Sequence, residues 1–310
     1  MEKPIALALH GGCGTILRQN LSASEEAAYE AALSEALEAG WRHLEGGASA
    51  LIAVEATVRA LEDCPLFNAG RGSVFTAAGI HEMDAAIMEG LHRRAGAVAG
   101  VRQVRNPISL ARTVMEHSGF VLLCGEGAET FAREQGIPFE EADYFATEAR
   151  WRQLVAARGK AAVVMDHDPA EVKFGTVGAV ALDQEGNLAA ATSTGGLTNK
   201  RYGRIGDSPI IGSGTYADNR SCAVSCTGYG EEFIRSTVAR DVAARMELLG
   251  ESLDIAAAHV IHERLLEVNG SGGLIAVDGA GNITLPFNTE GMYRAWRSNK
   301  DNSHGVAIFS

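Results

Sequence analysis

Hydrophobic and polar positions change period repeatedly along the 310-residue chain, and each change marks an element. Residues 5–9 form an apolar run too short for a helix, which predicts a buried strand entering a glycine turn at Gly11. Residues 25–39 are rich in alanine and glutamate and meet Gly40, the pattern of a helix with a glycine stop. Over 48–61, Leu51, Val54, Val58 and Leu61 recur on one helical face. Short apolar runs predict strands over 84–88 and 95–101, with Glu89-Gly90 as the turn between them. Asn106-Pro107 opens a helix through Met115, 120–123 predicts a strand, and 127–134 and 141–157 predict helices.

The run 165–173 is polar and carries Pro169, so it reads as an exposed connector. It leads through Phe174-Gly175 into a hairpin: 176–182, a turn over 183–187, and 188–193. A strand over 222–226, helices over 231–249 and 252–267, and a closing hairpin of 274–277 with 283–285 complete the pattern. Helices and strands succeed one another without strict βαβ alternation, which fits layered α+β architecture, and residues 1–310 could form one large or two ordinary domains.

Composition narrows the function classes. A formal net charge of −12 with no basic stripe disfavours nucleic acid. Hydrophobic residues at 46% suffice for a large core, and 36 glycines against 7 prolines, spread along the chain, do not describe a linker-rich protein. No apolar run approaches membrane-spanning length, and the segment before His10 is too short for a signal h-region, so the expected location is cytoplasmic. The five cysteines show no zinc spacing and no C-x-x-C pair, and are expected as reduced, buried thiols.

The junction Gly175-Thr176 carries the chemistry. A threonine hydroxyl needs an adjacent base, and one solution makes the residue N-terminal so that its own α-amine serves. Its reference pKa of about 7.7–8.0 leaves it largely neutral at physiological pH after a modest downward shift. That requires cleavage of the bond before Thr176, and Gly175 lets the hydroxyl approach its carbonyl. Read alone, the dipeptide is an ordinary glycine turn before a strand, and only the accompanying motifs lift it above that. His10-Gly11-Gly12 invites comparison with a lipase oxyanion motif, but the chain has no G-x-S-x-G elbow. It is therefore read as a strand-end turn beneath the site.

Further motifs accompany the junction: His10-Gly11-Gly12-Cys13-Gly14, Pro65-Leu66-Phe67-Asn68-Ala69-Gly70-Arg71-Gly72, Thr192-Ser193-Thr194-Gly195-Gly196, Gly203-Arg204-Ile205-Gly206-Asp207-Ser208-Pro209 and Ser225-Cys226-Thr227-Gly228-Tyr229-Gly230. In this order and spacing the chain resembles plant-type L-asparaginases, also called isoaspartyl aminopeptidases, of the N-terminal-nucleophile hydrolases. The resemblance runs from His10 to the 288–292 segment. It implies a single domain, 1–310, built as a four-layer α-β-β-α sandwich, and self-cleavage into pieces 1–175 and 176–310 that stay together. It makes Thr176 the nucleophile, Thr194 its hydrogen-bond partner, and Thr227 with the Gly228 N–H the oxyanion donors. Arg204 and Asp207 match residues that bind substrate carboxylate and ammonium, with Asn68 held near the nucleophile as a further substrate-site residue. A planar guanidinium fork suits the first of these roles; the alternative for such a pair is a surface salt bridge.

The backbone carbonyls of Leu61, Glu62, Cys64, Phe67, Ala69 and Arg71 match a structural sodium loop; no catalytic cofactor is implied. Homodimers of cleaved units are the family's usual assembly. The expected activity is hydrolysis of β-aspartyl amides, isoaspartyl dipeptides and L-asparagine, with release of L-aspartate. The rival is an uncleaved relative that keeps the fold without catalysis.

Overall fold

The computed structural model describes residues 3–159 and 175–310; the expected connector and Phe174 lie outside the described residues. The first part contains β1 (Ala6–Gly14), α1 (Ala23–Glu45), α2 (Ala50–Asp63), β2 (Met83–Glu89), β3 (Ala95–Val101) and α3 (Pro107–His117). It continues with β4 (Leu122–Cys124), α4 (Gly125–Glu134), α5 (Ala142–Phe145) and α6 (Glu148–Gly159). After Thr176 come β5 (Val177–Leu182), β6 (Leu188–Thr194), β7 (Thr215–Ala217), β8 (Cys222–Gly228), α7 (Gly230–Ser236), α8 (Val238–Leu249) and α9 (Leu253–His259). A π turn leads into α10 (Leu265–Glu267), then β9 (Gly272–Asp278), β10 (Ile283–Thr284), β11 (Gly291–Ser298) and β12 (His304–Phe309).

The strands form two sheets, an eight-stranded one in the order β12-β11-β1-β5-β6-β2-β3-β4 and a four-stranded one in the order β10-β9-β8-β7. Alternation along β1 assigns its two faces. Leu7 and Leu9 pack with buried residues of α1, α2 and α3. Ala6 and Ala8 face the other way, into a core shared with the four-stranded sheet and with α7, α8 and α9. Alanines also supply this face at Ala190 and Ala223, so the sheets meet through small side chains. Each fully buried leucine contributes about 1.5–3 kcal/mol.

Several elements differ from the sequence reading. The first helix does not stop at Gly40 but runs to Glu45 and buries Trp41 and Leu44. A Cβ on Gly40 would lie 2.0 Å from Thr57 Oγ1 and 2.8 Å from the Ala53 carbonyl, so this glycine permits close packing on α2. At the other end, Ser22 and Glu25 form a capping box, which fixes the start of α1. The expected helix over 141–157 is two helices, with Ala146 extended between them (ψ 131°). That over 231–249 breaks at Thr237, which is left-handed at φ 47° and ψ 48°.

The strand at 5–9 does not end at Gly11. It continues to Gly14 across a bulge between His10 and Gly12, so His10-Gly11-Gly12 lies inside β1 rather than in a strand-end turn. The closing strand pair is β11 with β12, beyond the expected last hairpin. Among the cysteines, Cys13, Cys222 and Cys226 are buried, but Cys64 is half-buried and Cys124 exposed.

Candidate active site

Strand pairing brings the distant motifs together. On β5, Gly178 opposes His10 of β1 on one side and Thr192 of β6 on the other. Thr176 stands one residue before this strand, and its hydroxyl donates to Thr194 Oγ1 at 3.1 Å. Thr194 also accepts the Gly196 N–H at 3.0 Å, which fixes the turn that carries it. The Thr176 carbonyl lies 2.9 Å from His10 Nδ1. Burial pulls the His10 pKa down to about 3 despite that contact, so the imidazole is neutral. Gly175 is required sterically: a Cβ there would sit 2.6 Å from the Gly11 carbonyl oxygen.

Thr176 opens onto a narrow pocket, of about 30 Å³ free volume, whose lining includes Gly175, Thr194, Arg204, Asp207, Thr227 and Gly228. All of the expected catalytic and clamp residues therefore converge on one place. Asn68 also lines it, with its amide engaged by protein: Nδ2 donates to the Gly196 carbonyl at 2.8 Å and Oδ1 accepts the Val74 N–H at 2.9 Å. A larger cavity, about 460 Å³, lies elsewhere among Phe75, His81 and Arg102, and none of the expected residues lines it.

Thr227, next to last in β8, lies opposite Gly273, and its Oγ1 accepts the Cys13 N–H at 3.3 Å. That leaves its own proton available. Gly228 approaches the neighbouring strand so closely that a Cβ would lie 2.5 Å from the Ser271 carbonyl.

Arg204 and Asp207 do not form the surface salt bridge that their spacing allowed. Arg204 is gripped instead by Glu231 at the start of α7, Nε to Oε1 at 2.9 Å and Nη2 to Oε2 at 2.7 Å. Asp207 is 4% exposed, and its Oδ2 has no hydrogen-bond partner among the described residues. Burial pushes its pKa up to about 7, against the pull of Arg204. A buried carboxylate oxygen without a donor suits an incoming cation. Glu231 was missed by the sequence reading; its one signal is an acid in a first helical turn directly after Thr227-Gly228.

The loop 61–72 closes behind this site. Glu62 is fully buried, and its Oε1 accepts from Ser193 Oγ at 2.6 Å and from the Ile108 N–H at 3.0 Å, tying the loop to β6. The Arg71 side chain turns outward, its guanidinium 5.6 Å from the Tyr144 ring centre.

The comparisons agree with this geometry. The asparaginase family model matches residues 3–307. The chain belongs to the asparaginase family. Among its curated relatives, the isoaspartyl peptidase of Salmonella typhimurium is 56% identical over 96% of both chains. That of Escherichia coli is 55% identical over 94% of this chain and 92% of its own. The isoaspartyl peptidase/L-asparaginase of Xenopus laevis is 43% identical over 99% and 96%. The family motifs are thus spread along the whole chain, as the pocket requires. Among the described residues no helix is long and apolar enough to cross a membrane.

Proposed function

We propose that the chain is a self-cleaving threonine amidohydrolase that acts on isoaspartyl dipeptides and L-asparagine and releases L-aspartate. The observation that carries this reading is the convergence of Thr176, Thr194, Thr227, Gly228, Arg204 and Asp207 on one pocket. Its substrate class follows the names of the relatives, 41–56% identical over nearly the whole chain.

Cleavage of the Gly175–Thr176 bond gives Thr176 a free α-amine, and pieces 1–175 and 176–310 remain one folded unit. The amine takes the Thr176 hydroxyl proton as Oγ1 attacks the side-chain amide carbonyl of the substrate. Thr227 Oγ1–H and the Gly228 N–H donate to the oxyanion, each such donor being worth about 2.7–4 kcal/mol. The amine then passes its proton to the leaving nitrogen, and water hydrolyses the acyl-enzyme. Arg204 holds the substrate α-carboxylate and Asp207 its α-ammonium. Those groups are common to both substrates, and the leaving group is ammonia from one and an amino acid from the other.

The layering supports the four-layer α-β-β-α sandwich: helices, the eight-stranded sheet, the four-stranded sheet, and helices again. The loop carbonyls support a structural sodium ion. A Cβ on Gly72 would lie 2.1 Å from the Phe67 carbonyl oxygen, and one on Gly70 2.4 Å from that of Glu62, so glycines leave a cradle lined by neutral oxygens. Carbonyls of Leu61, Glu62, Cys64, Phe67, Ala69 and Arg71 would hold the ion, which suits a hard monovalent cation. It would brace Asn68 and do no chemistry. Homodimerisation of the cleaved unit follows the family resemblance, and five free cysteines support a reducing, cytoplasmic location.

Intact-mass measurement with N-terminal sequencing tests the reading. A fragment beginning Thr-Val-Gly-Ala is expected, and it should be absent in Thr176→Ala. A stable 310-residue species from the unaltered chain would overturn the reading in favour of the uncleaved rival.

A further inference from the structure

A file of hydroxyl groups runs between the two sheets from the nucleophile to the substrate clamp. From His10 Nε2 it passes to Ser225 Oγ at 3.0 Å, then to Thr192 Oγ1 at 2.7 Å and to Thr215 Oγ1 at 2.7 Å. Thr215 Oγ1 also reaches the Ser208 carbonyl at 3.0 Å, next to Asp207, and Thr192 Oγ1 the Gly214 carbonyl at 3.2 Å. His10, Thr192, Thr215 and Ser225 are all fully buried. They come from four strands, β1, β6, β7 and β8, and so cross from one sheet to the other.

The direction of every bond follows from its end. The Thr176 carbonyl can only accept, so the proton of neutral His10 sits on Nδ1 and Nε2 must accept. Ser225 therefore donates to His10, Thr192 to Ser225, and Thr215 to Thr192. The Gly214 and Ser208 carbonyls are secondary acceptors of the same protons. Gly178 makes room for this arrangement: a Cβ there would lie 2.0 Å from Ser225 Oγ and 2.6 Å from His10 Nε2.

We infer that Ser225, Thr192 and Thr215 are positioning residues for the amidohydrolase reaction, acting through His10 on the main chain of Thr176. This rests on the cleavage reading in one respect. Once Thr176 is a chain terminus, nothing covalent precedes it, and its carbonyl becomes the anchor that fixes amine and hydroxyl relative to Thr194. A misplaced nucleophile lowers the rate of attack while leaving the clamp to bind substrate. The file therefore governs kcat rather than KM, and its last link joins the nucleophile to the loop that carries Asp207.

The test uses Ser225→Ala, Thr192→Val and Thr192→Ser in the full chain, with cleavage followed by intact mass and folding by thermal unfolding. In cleaved, folded protein, Ser225→Ala and Thr192→Val should lower kcat for L-asparagine about tenfold with KM within about twofold, and Thr192→Ser, which keeps the hydroxyl, should restore it. A kcat within twofold of the unaltered enzyme in both variants, or failure of Thr192→Ser to restore a lost rate, would overturn the inference. Failure of the unaltered chain to cleave at all instead overturns the parent reading. A second measurement does not depend on the variants folding: nitrogen NMR of histidine-labelled, unaltered protein should show His10 as the Nδ1–H tautomer. An Nε2–H tautomer would reverse the file and sink the proposal.

Discussion

Glu231 holds Arg204 through two parallel hydrogen bonds, at 2.9 and 2.7 Å, before any substrate arrives. The pair leaves the Arg204 side chain only 18% exposed and aims it along the pocket wall. Bonds between charged groups contribute about 1.5–3 kcal/mol each. Glu231→Ala should therefore raise KM for L-asparagine at least tenfold, with a smaller loss in kcat, because an unheld guanidinium must be ordered by the substrate itself. Steady-state kinetics decide it, and an unchanged KM would remove Glu231 from the clamp.

Asp207 gives the clamp a pH dependence. Its carboxyl titrates near 7, raised by burial, so it is neutral below that pH and ionised above it. Only the ionised form attracts an ammonium group. Substrate affinity should thus rise as pH increases through 7, and kcat/KM should fall at least tenfold per pH unit on the acid side, where the Thr176 α-amine is protonated as well. In Asp207→Asn the KM for L-asparagine should be poor and lose its dependence on pH around 7, while kcat keeps the acid limb that the Thr176 α-amine gives it. A KM that still rises as pH falls through 7 in Asp207→Asn would assign that titration to another group.

Sodium removal is a separate expectation. Replacing sodium with tetramethylammonium, which is too large for the glycine cradle around Phe67 and Glu62, should lower the unfolding temperature. Stability lost by withdrawing a native-state ligand lowers Tm in proportion to the free energy withdrawn, by less per kcal/mol the larger the chain. Identical melting curves in the two salts would argue that the loop holds no ion.

Gly40 offers a control remote from the chemistry. Gly40→Ala puts a methyl 2.0 Å from Thr57 Oγ1, so α1 and α2 must separate. A loss of about 1–3 kcal/mol is expected, as for other overpacked cores. Denaturant titration measures it, and KM should not change. Unaltered stability would mean that the two helices can slide apart without cost.

The same glycine shows where the sequence was legible. A glycine at the end of an alanine-rich run signals a stop when read locally, yet here its meaning is the approach of another helix, which no local pattern carries. Thr237 breaks its helix with neither glycine nor proline to announce it. The β11 strand is hidden in the sequence because Arg294 and Arg297 interrupt its apolar alternation and are accommodated by contacts from outside the strand, such as Arg297 over Trp41. The convergence of Thr176, Thr194, Thr227, Arg204 and Asp207 on one pocket was legible because each stands in a short motif, although the motifs lie far apart in the chain. Glu231 was not, since its role is visible only once α7 is placed against the Arg204 loop. The hydroxyl file was equally hidden: an inward-facing threonine or serine on a strand looks the same in sequence whether or not it has a partner on another sheet.

The order of the eight-stranded sheet has a consequence for the life of the molecule after cutting at Gly175–Thr176. Strand β1, from the first piece, is held between β11 and β5 of the second, while β2, β3 and β4 extend beyond β6. Each piece therefore interrupts the other, and neither can leave without stripping strands from the middle of a shared sheet. With the proposed cut, assembly would happen once, while the chain is continuous and its parts are tethered. After unfolding, the same sheet would have to be rebuilt by two molecules meeting in solution, so recovery would depend on concentration and would be slow when dilute. The proposed cut would thus turn folding into a one-way event, and the lifetime of a cleaved enzyme would be set by how rarely it opens rather than by how well it refolds.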